Sequence, residues 1–189
     1  LLEKYTDLVA LAQTWTGKTA AFGFPMIQKI DINSKKTQGL ILSPTRELCL
    51  QITNELKQYG QFHKGLNITA IYGGASITDQ ARSVKKGSQI IVATPGRMKD
   101  MINRNLVNIS QIKYSVLDEA DEMLNMGFYE DITDILSFTP KEKNTWLFSA
   151  TMPKEVSNIA RKFMSKPVEI TVGTKNVGSD QVSHEYYLV

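Results

Sequence analysis

Two stretches hold residue types that could do phosphate chemistry. Gly17-Lys18-Thr19 closes "AQTWTGKT" directly after the apolar run "DLVALA" (7–12), and Asp118-Glu119-Ala120-Asp121 closes "SVLDEAD". A lysine and a hydroxyl opening a helix at the end of a strand suit a polyphosphate. Backbone N–H groups at the helix start face the anion, the ammonium meets the outer phosphates, and the hydroxyl can bind Mg²⁺. The acidic stretch supplies the complement. One carboxylate can hold the Mg²⁺ that bridges the phosphates, and its neighbour can orient or deprotonate an attacking water. Each stretch alone also has a plain reading, because Gly-Lys-Thr is a short word and acidic residues at a helix start are favoured by the macrodipole.

A second set of residues suits a polyanion's backbone. Arg46 in "PTREL" and Arg97 in "TPGR" offer guanidinium forks for phosphate, Thr45, Thr94 and the helix starts offer donors, and Gly73, Gly74 and Gly96 let another chain approach closely. Such contacts read no bases, so sequence-independent binding is expected. Ser149 and Thr151 follow the apolar run "TWLFS", where hydroxyls act either in coupling chemistry or as simple helix caps with Pro153 just beyond.

All of these residues need elements to carry them. Short apolar, β-branched runs recur at 7–12, 39–43, 67–73, 89–94, 114–118, 145–149 and 167–172, and each reads as a strand buried on both faces. Between them, 18–30, 46–60, 76–86, 97–103, 119–136 and 154–165 carry helix-period apolar residues. Strand alternating with helix calls for an α/β fold: a mostly parallel sheet of about seven strands with helices on both faces. Ligands of such sheets gather at the carboxyl ends of the strands, where every stretch named above falls. Asn33 to Gln38 reads as a polar turn, Gly173 to Asp180 has linker composition, and residues 182–189 read as another strand beginning.

Composition limits the rest. With 189 residues, 42% apolar and 22% charged, the chain can bury one domain's core. A net charge of +3 permits a polyanionic partner without demanding one. Cys49 has no partner for a disulfide, and His63 and His184 do not make a zinc site, so any metal should be held by oxygen. No run of about 18 apolar residues is present for a membrane span, and the start lacks a secretory pattern. A soluble, cytoplasmic protein is expected. Leu1 to Lys4 reads like the tail of a helix, so a piece of a longer protein is expected.

"AQTWTGKT", "PTREL" (44–48), "GG" (73–74), "TPGR" (94–97), "DEAD" (118–121) and "SAT" (149–151) occur in the order found in DEAD-box ATP-dependent RNA helicases, and the wording between them resembles bacterial members. The resemblance runs from about Asp7 to Val172 and implies the amino-terminal RecA-like P-loop domain, with 173–181 a linker and 182–189 the first strand of a second RecA-like domain. It implies that the loop Ala12, Gln13, Thr14, Trp15, Thr16, Gly17, Lys18 and Thr19 binds ATP, with Lys18 on the phosphates and Thr19 on Mg²⁺. By the same resemblance Asp118 holds Mg²⁺ through water, Glu119 positions the nucleophile, Asp121 contacts the second domain or "SAT", and Ser149 and Thr151 couple hydrolysis to strand separation. Pro44, Thr45, Arg46, Gly73, Gly74, Thr94, Pro95, Gly96 and Arg97 look like the loops that hold the sugar-phosphate backbone of one RNA strand. Choosing RNA over DNA needs 2′-hydroxyl contacts.

The chain departs from the family in two ways. Trp15 stands where the phosphate loop has glycine, and a left-handed conformation there costs a side chain about 1–2 kcal/mol. Distortion of the loop and weak ATP binding are expected. By the resemblance, adenine is read by a glutamine-containing motif upstream of the phosphate loop, which this chain starts too late to include, and the arginines that complete hydrolysis belong to a second domain, so little turnover is expected from this chain alone. Two readings follow: one domain of an RNA helicase, or an RNA-binding module whose phosphate loop is defective. Thr19, Asp118 and Glu119 are all present, which favours the enzyme. A DNA translocase is disfavoured by "PTREL" and "TPGR".

Other residues read as structural. Met98, Met101, Met123, Met126 and Trp146 read as core filling, Cys49 as buried and inert, and Lys35-Lys36 and Lys85-Lys86 as solvated charge.

Overall fold

A computed structural model describes residues 6–12 and 17–172. Along them strand and helix alternate: β1 (Leu8–Leu11), α1 (Lys18–Lys29), β2 (Gly39–Leu42), α2 (Arg46–Tyr59), β3 (Ile68–Ile71), α3 (Ile77–Lys85), β4 (Ile90–Ala93), α4 (Pro95–Asn103), β5 (Tyr114–Leu117), α5 (Ala120–Asn125), α6 (Tyr129–Ser137), β6 (Asn144–Ser149), α7 (Lys154–Phe163) and β7 (Val168–Thr171). The strands form one seven-stranded sheet in the order β3-β4-β2-β5-β6-β1-β7, with every pairing parallel.

The pleat explains why the central strands are apolar throughout. Successive side chains leave opposite faces, and both faces are covered. Val9, Leu11, Leu40, Leu42, Ile91, Leu117 and Leu147 enter a core with Met98 and Met101 of α4, Met123 of α5, Ile132 of α6 and Ile159 of α7. Leu8, Ile41, Ile90, Val116, Trp146 and Phe148 enter a second core with Phe22 and Met26 of α1 and Ile52 and Leu56 of α2. Burying each such side chain is worth about 1.5–3 kcal/mol. The expected helices on both faces are present.

Some expectations need correction. The edge strands are not buried on both faces: β3 has half-buried Thr69 and Ala70, and β7, paired only with β1, leaves Val168 and Ile170 each 49% exposed. The single helix expected over 119–136 is two, α5 and α6, because Gly127 takes φ +83° between them and ends the first. Met126, beside that break, is 48% exposed rather than core, while Met98, Met101, Met123 and Trp146 are buried as expected. Helix α4 starts at Pro95, whose fixed φ suits a first helical position. The polar turn at Asn33–Gln38 ends in a buried residue, Gln38, whose amide bonds the Asp31 backbone in both directions.

Cys49 is buried, its thiol donates to the Val92 carbonyl at 3.2 Å, and burial pushes it up to about 12. Asp7 anchors the far rim of the sheet, accepting the Thr145 amide at 2.6 Å and the Ser165 amide. Among the described residues no helix is long and apolar enough to cross a membrane. Gln13 to Thr16, the linker at 173–181 and the strand at 182–189 lie outside the described residues.

Candidate nucleotide site and nucleic-acid rim

Strand order decides which loops meet. β6 lies between β5 and β1, so the turns after all three share one stretch of the carboxyl rim, while β2, β4 and β3 carry the rim onward. Gly17 begins the first turn with φ +79° and gives no side-chain cap, so among the described residues no side chain caps the start of α1, whose opening N–H groups suit an anion. Only its backbone conformation demands glycine, since an added Cβ would meet nothing within 4 Å. Lys18 then reaches the acidic turn: its Nζ lies 3.5 Å from Asp118 Oδ1 and 3.9 Å from Glu119 Oε1. Both separations exceed a charge-assisted hydrogen bond, so the ammonium is shared between the carboxylates rather than locked to one. Thr19 follows, half-buried, in the same helical turn.

Asp118 is fixed by its backbone, whose amide donates to the Leu42 carbonyl at 2.9 Å. Its side chain is only 4% exposed, and Oδ1 accepts no hydrogen bond. Burial raises its carboxyl above the ordinary aspartate range against the pull of Lys18. Burial also raises Glu119, which sits at φ 54°, ψ 54° as the residue before α5. A left-handed glutamate costs about 1–2 kcal/mol, a strain of the kind found at functional turns. Two raised carboxyls beside one ammonium, with a buried oxygen that accepts no hydrogen bond among the described residues, fit a divalent cation. Such an ion would supply the missing partner and hold both groups charged.

Asp121 faces the next loop. Its Oδ2 accepts from the Thr151 amide at 2.8 Å and the Thr151 hydroxyl at 2.7 Å, and its own amide donates to Ser149 Oγ at 3.1 Å. Burial pulls its carboxyl up, but the Thr151 hydrogen bonds outweigh this and hold it below the usual range. The capping alternative is thus met in an unexpected way. Ser149 satisfies an open N–H of α5, whereas α7 begins at Lys154 after Pro153, which gives no side-chain cap. Ala12 joins the same network by donating its amide to the Ser149 carbonyl at 3.0 Å.

The second group occupies the rest of the rim. Pro44 is buried, and Thr45 caps α2 by accepting the Leu48 amide at 3.2 Å. Exposed Arg46 lies over the Tyr72 ring at 5.0 Å in a cation–π contact. Gly74 takes φ +79° beside Arg46, while Gly73 is exposed and would accept a Cβ without contact. Arg97 is more committed than its sequence suggests: Nη1 donates to the Ala75 carbonyl at 2.9 Å and to Gln80 Oε1 at 3.4 Å, tying α4 to the Gly73-Gly74 turn. Thr94 is half-buried and makes no side-chain cap bond, Pro95 is buried, and Gly96 is exposed near Phe128 and Asp131.

Supporting residues went unread in the sequence. Buried Gln80 donates to the Tyr72 carbonyl at 3.0 Å, and Lys99 on α4 meets Asp131 at 2.9 Å and Asp134 at 2.8 Å on α6. The hydrogen bonds from Lys99 to Asp134 and Asp131 hold its ammonium above the usual lysine range. A polar residue among helix-period positions gives no sign of its partner, so only coordinates expose these pairs.

With that geometry in place, the comparisons are specific. The model of the DEAD/DEAH box helicase family matches residues 1–159. "ATP-dependent RNA helicase DeaD" of Mycobacterium tuberculosis is 47% identical over 184 residues, 97% of this chain and 33% of that protein. "ATP-dependent RNA helicase CshA" of Limosilactobacillus reuteri is 48% identical over 180 residues, 95% of this chain and 36% of that protein. The chain therefore spans about a third of the length of these relatives. Among solved structures, a DEAD box protein from the hyperthermophile Methanococcus jannaschii superposes with a TM-score of 0.84 at 44% identity, covering 88% of this chain and 45% of that one. The yeast DEAD-box splicing factor Prp28 superposes at 0.86 and 33% identity, covering 94% and 43%. Motif order, strand order and these matches agree: the chain belongs to the DEAD/DEAH box helicase family.

Proposed function

We propose that this chain is the ATP- and RNA-binding domain of an ATP-dependent RNA helicase, in which Mg-ATP hydrolysis drives RNA duplex unwinding by the full-length protein. The observation that carries the reading is the approach of Lys18 Nζ to Asp118 and Glu119 across β1, β6 and β5. Lys18 and the loop from Ala12 to Thr19 bind the triphosphate. Thr19 and Asp118 hold Mg²⁺, which neutralises phosphate charge when bound. Glu119 orients the attacking water and accepts its proton. Through its bonds to Thr151, Asp121 reports the state of that site to the 149–151 loop.

Arg46, Thr45, Gly73, Gly74, Thr94, Pro95, Gly96 and Arg97 grip one RNA strand by its sugar-phosphate backbone, without base preference. Residues 1–172 act as the RecA-like domain, 173–181 as a linker and 182–189 as the first strand of a second such domain, which completes both the hydrolytic site and the RNA clamp. The protein works in the cytoplasm, in keeping with an RNA substrate. On this reading, the chain alone turns over little ATP.

Trp15 supports a second reading, an RNA-binding module that no longer uses nucleotide. Against it stands the retention of Thr19, Asp118 and Glu119 around Lys18. Phosphate release by the full-length protein with Trp15 in place, at millimolar ATP with and without single-stranded RNA, tests the choice. RNA should raise turnover, and Lys18→Ala should abolish it; turnover that ignores both RNA and Lys18 would leave the binding module as the better account.

A further inference from the structure

The opposite rim of the sheet carries a feature that the helicase reading does not use. The turn before β2, the end of α3, the segment after α4 and the end of α6 enclose an open groove of about 930 Å³ at the amino ends of the strands. Lys35, Lys36 and Lys85 all line it, so charges that read as separate solvated pairs in the sequence share one cleft. Among the described residues, no aspartate or glutamate lines the groove and none of the three lysines has an ion-pair partner. Val84, Ile102 and Leu106 add apolar surface, and Phe138 stands 56% exposed at the side.

The lysine wall is held in place. Buried Gln89 donates from Nε2 to the Ile32 carbonyl at 3.2 Å and the Ser34 carbonyl at 2.9 Å, fixing the turn that carries Lys35. Gly87 takes φ +104°, and a Cβ there would come within 3.2 Å of Lys35 Cβ, so the two turns are closely apposed. An ordered wall lowers the entropy lost when a ligand docks.

We propose that this groove docks an acidic peptide segment of a partner protein, with an apolar side chain against Phe138 and Leu106 and carboxylates over Lys35, Lys36 and Lys85. A positive cleft with an apolar side matches such a segment in both respects. RNA fits less well, because the lining offers no guanidinium fork and only one aromatic ring for stacking. A peptide here leaves the carboxyl rim free, so it could tether the enzyme without displacing nucleotide or RNA.

The test uses the ¹⁵N-labelled 189-residue chain and a fluorescein-labelled peptide in which glutamates and aspartates flank a Leu-Phe pair. Anisotropy should rise to saturation, and amides of 35–37 and 103–111 should shift while those of 17–19 and 118–121 stay in place. The triple variant Lys35→Glu, Lys36→Glu, Lys85→Glu should weaken binding about tenfold, as expected for three exposed charge pairs. Phe138→Ser should weaken it without altering net charge, and a shared melting temperature confirms that each variant is folded. The proposal is overturned if the peptide does not saturate, if charge reversal leaves affinity unchanged, or if an oligouridine RNA rather than the peptide shifts the groove amides.

Discussion

Full-length protein carrying Trp15→Gly and Glu119→Gln should hydrolyse ATP about 10²–10⁴-fold more slowly than its Trp15→Gly parent while binding ATP nearly as well. Glutamine keeps the length of the side chain and can take the same left-handed turn at φ 54°, so the acidic loop should hold its shape. Lys18 keeps its contact with Asp118 at 3.5 Å, and the oxygen proposed to hold Mg²⁺ is untouched. What disappears is the carboxylate proposed to accept a proton from the attacking water. The effect should therefore fall on kcat with KM little changed, the pattern of an interaction made mainly in the transition state. A kcat within about threefold of the parent would remove Glu119 from the proposed chemistry.

The second large effect concerns Trp15. Trp15→Gly should tighten Mg-ATP binding by this chain about 5- to 30-fold, the equivalent of the about 1–2 kcal/mol that a side chain costs where a phosphate loop requires a left-handed residue. Ala12 is pinned to the Ser149 carbonyl and Gly17 already turns at φ +79°, so both ends meet a fixed framework. Side-by-side titrations followed by calorimetry measure the difference. Equal affinities would mean that the indole is accommodated at no cost.

Particular residues show how far the sequence could be read. The five central strands were legible because both of their faces are covered, which leaves near-continuous apolar runs such as "LIL" and "IIVA". β7 has similar wording in "PVEITV" but lies at an edge, and apolar composition alone cannot separate a covered strand from an uncovered one. The division of 119–136 turns on one left-handed glycine, Gly127, which a helix-period reading passes over.

In the site, the residue types at strand ends pointed to phosphate chemistry, but their meeting depends on β6 lying between β5 and β1, an order that no local pattern states. The same holds for Asp121 with Thr151 and for Arg97 with Ala75, contacts between loops far apart in the chain. It holds as well for Lys35, Lys36 and Lys85, which share a groove only once the strands are stacked.

The Lys18 turn and the Asp118 turn are proposed to form a single metal–nucleotide site. Adding Mn²⁺-ADP to the ¹⁵N-labelled Trp15→Gly chain tests it directly, because the paramagnetic ion broadens the amides nearest to it. Gly17, Lys18 and Thr19 should broaden together with Glu119, Ala120 and Asp121, at the same nucleotide concentration. Broadening of one set without the other, or of neither at millimolar Mn²⁺-ADP, would contradict it.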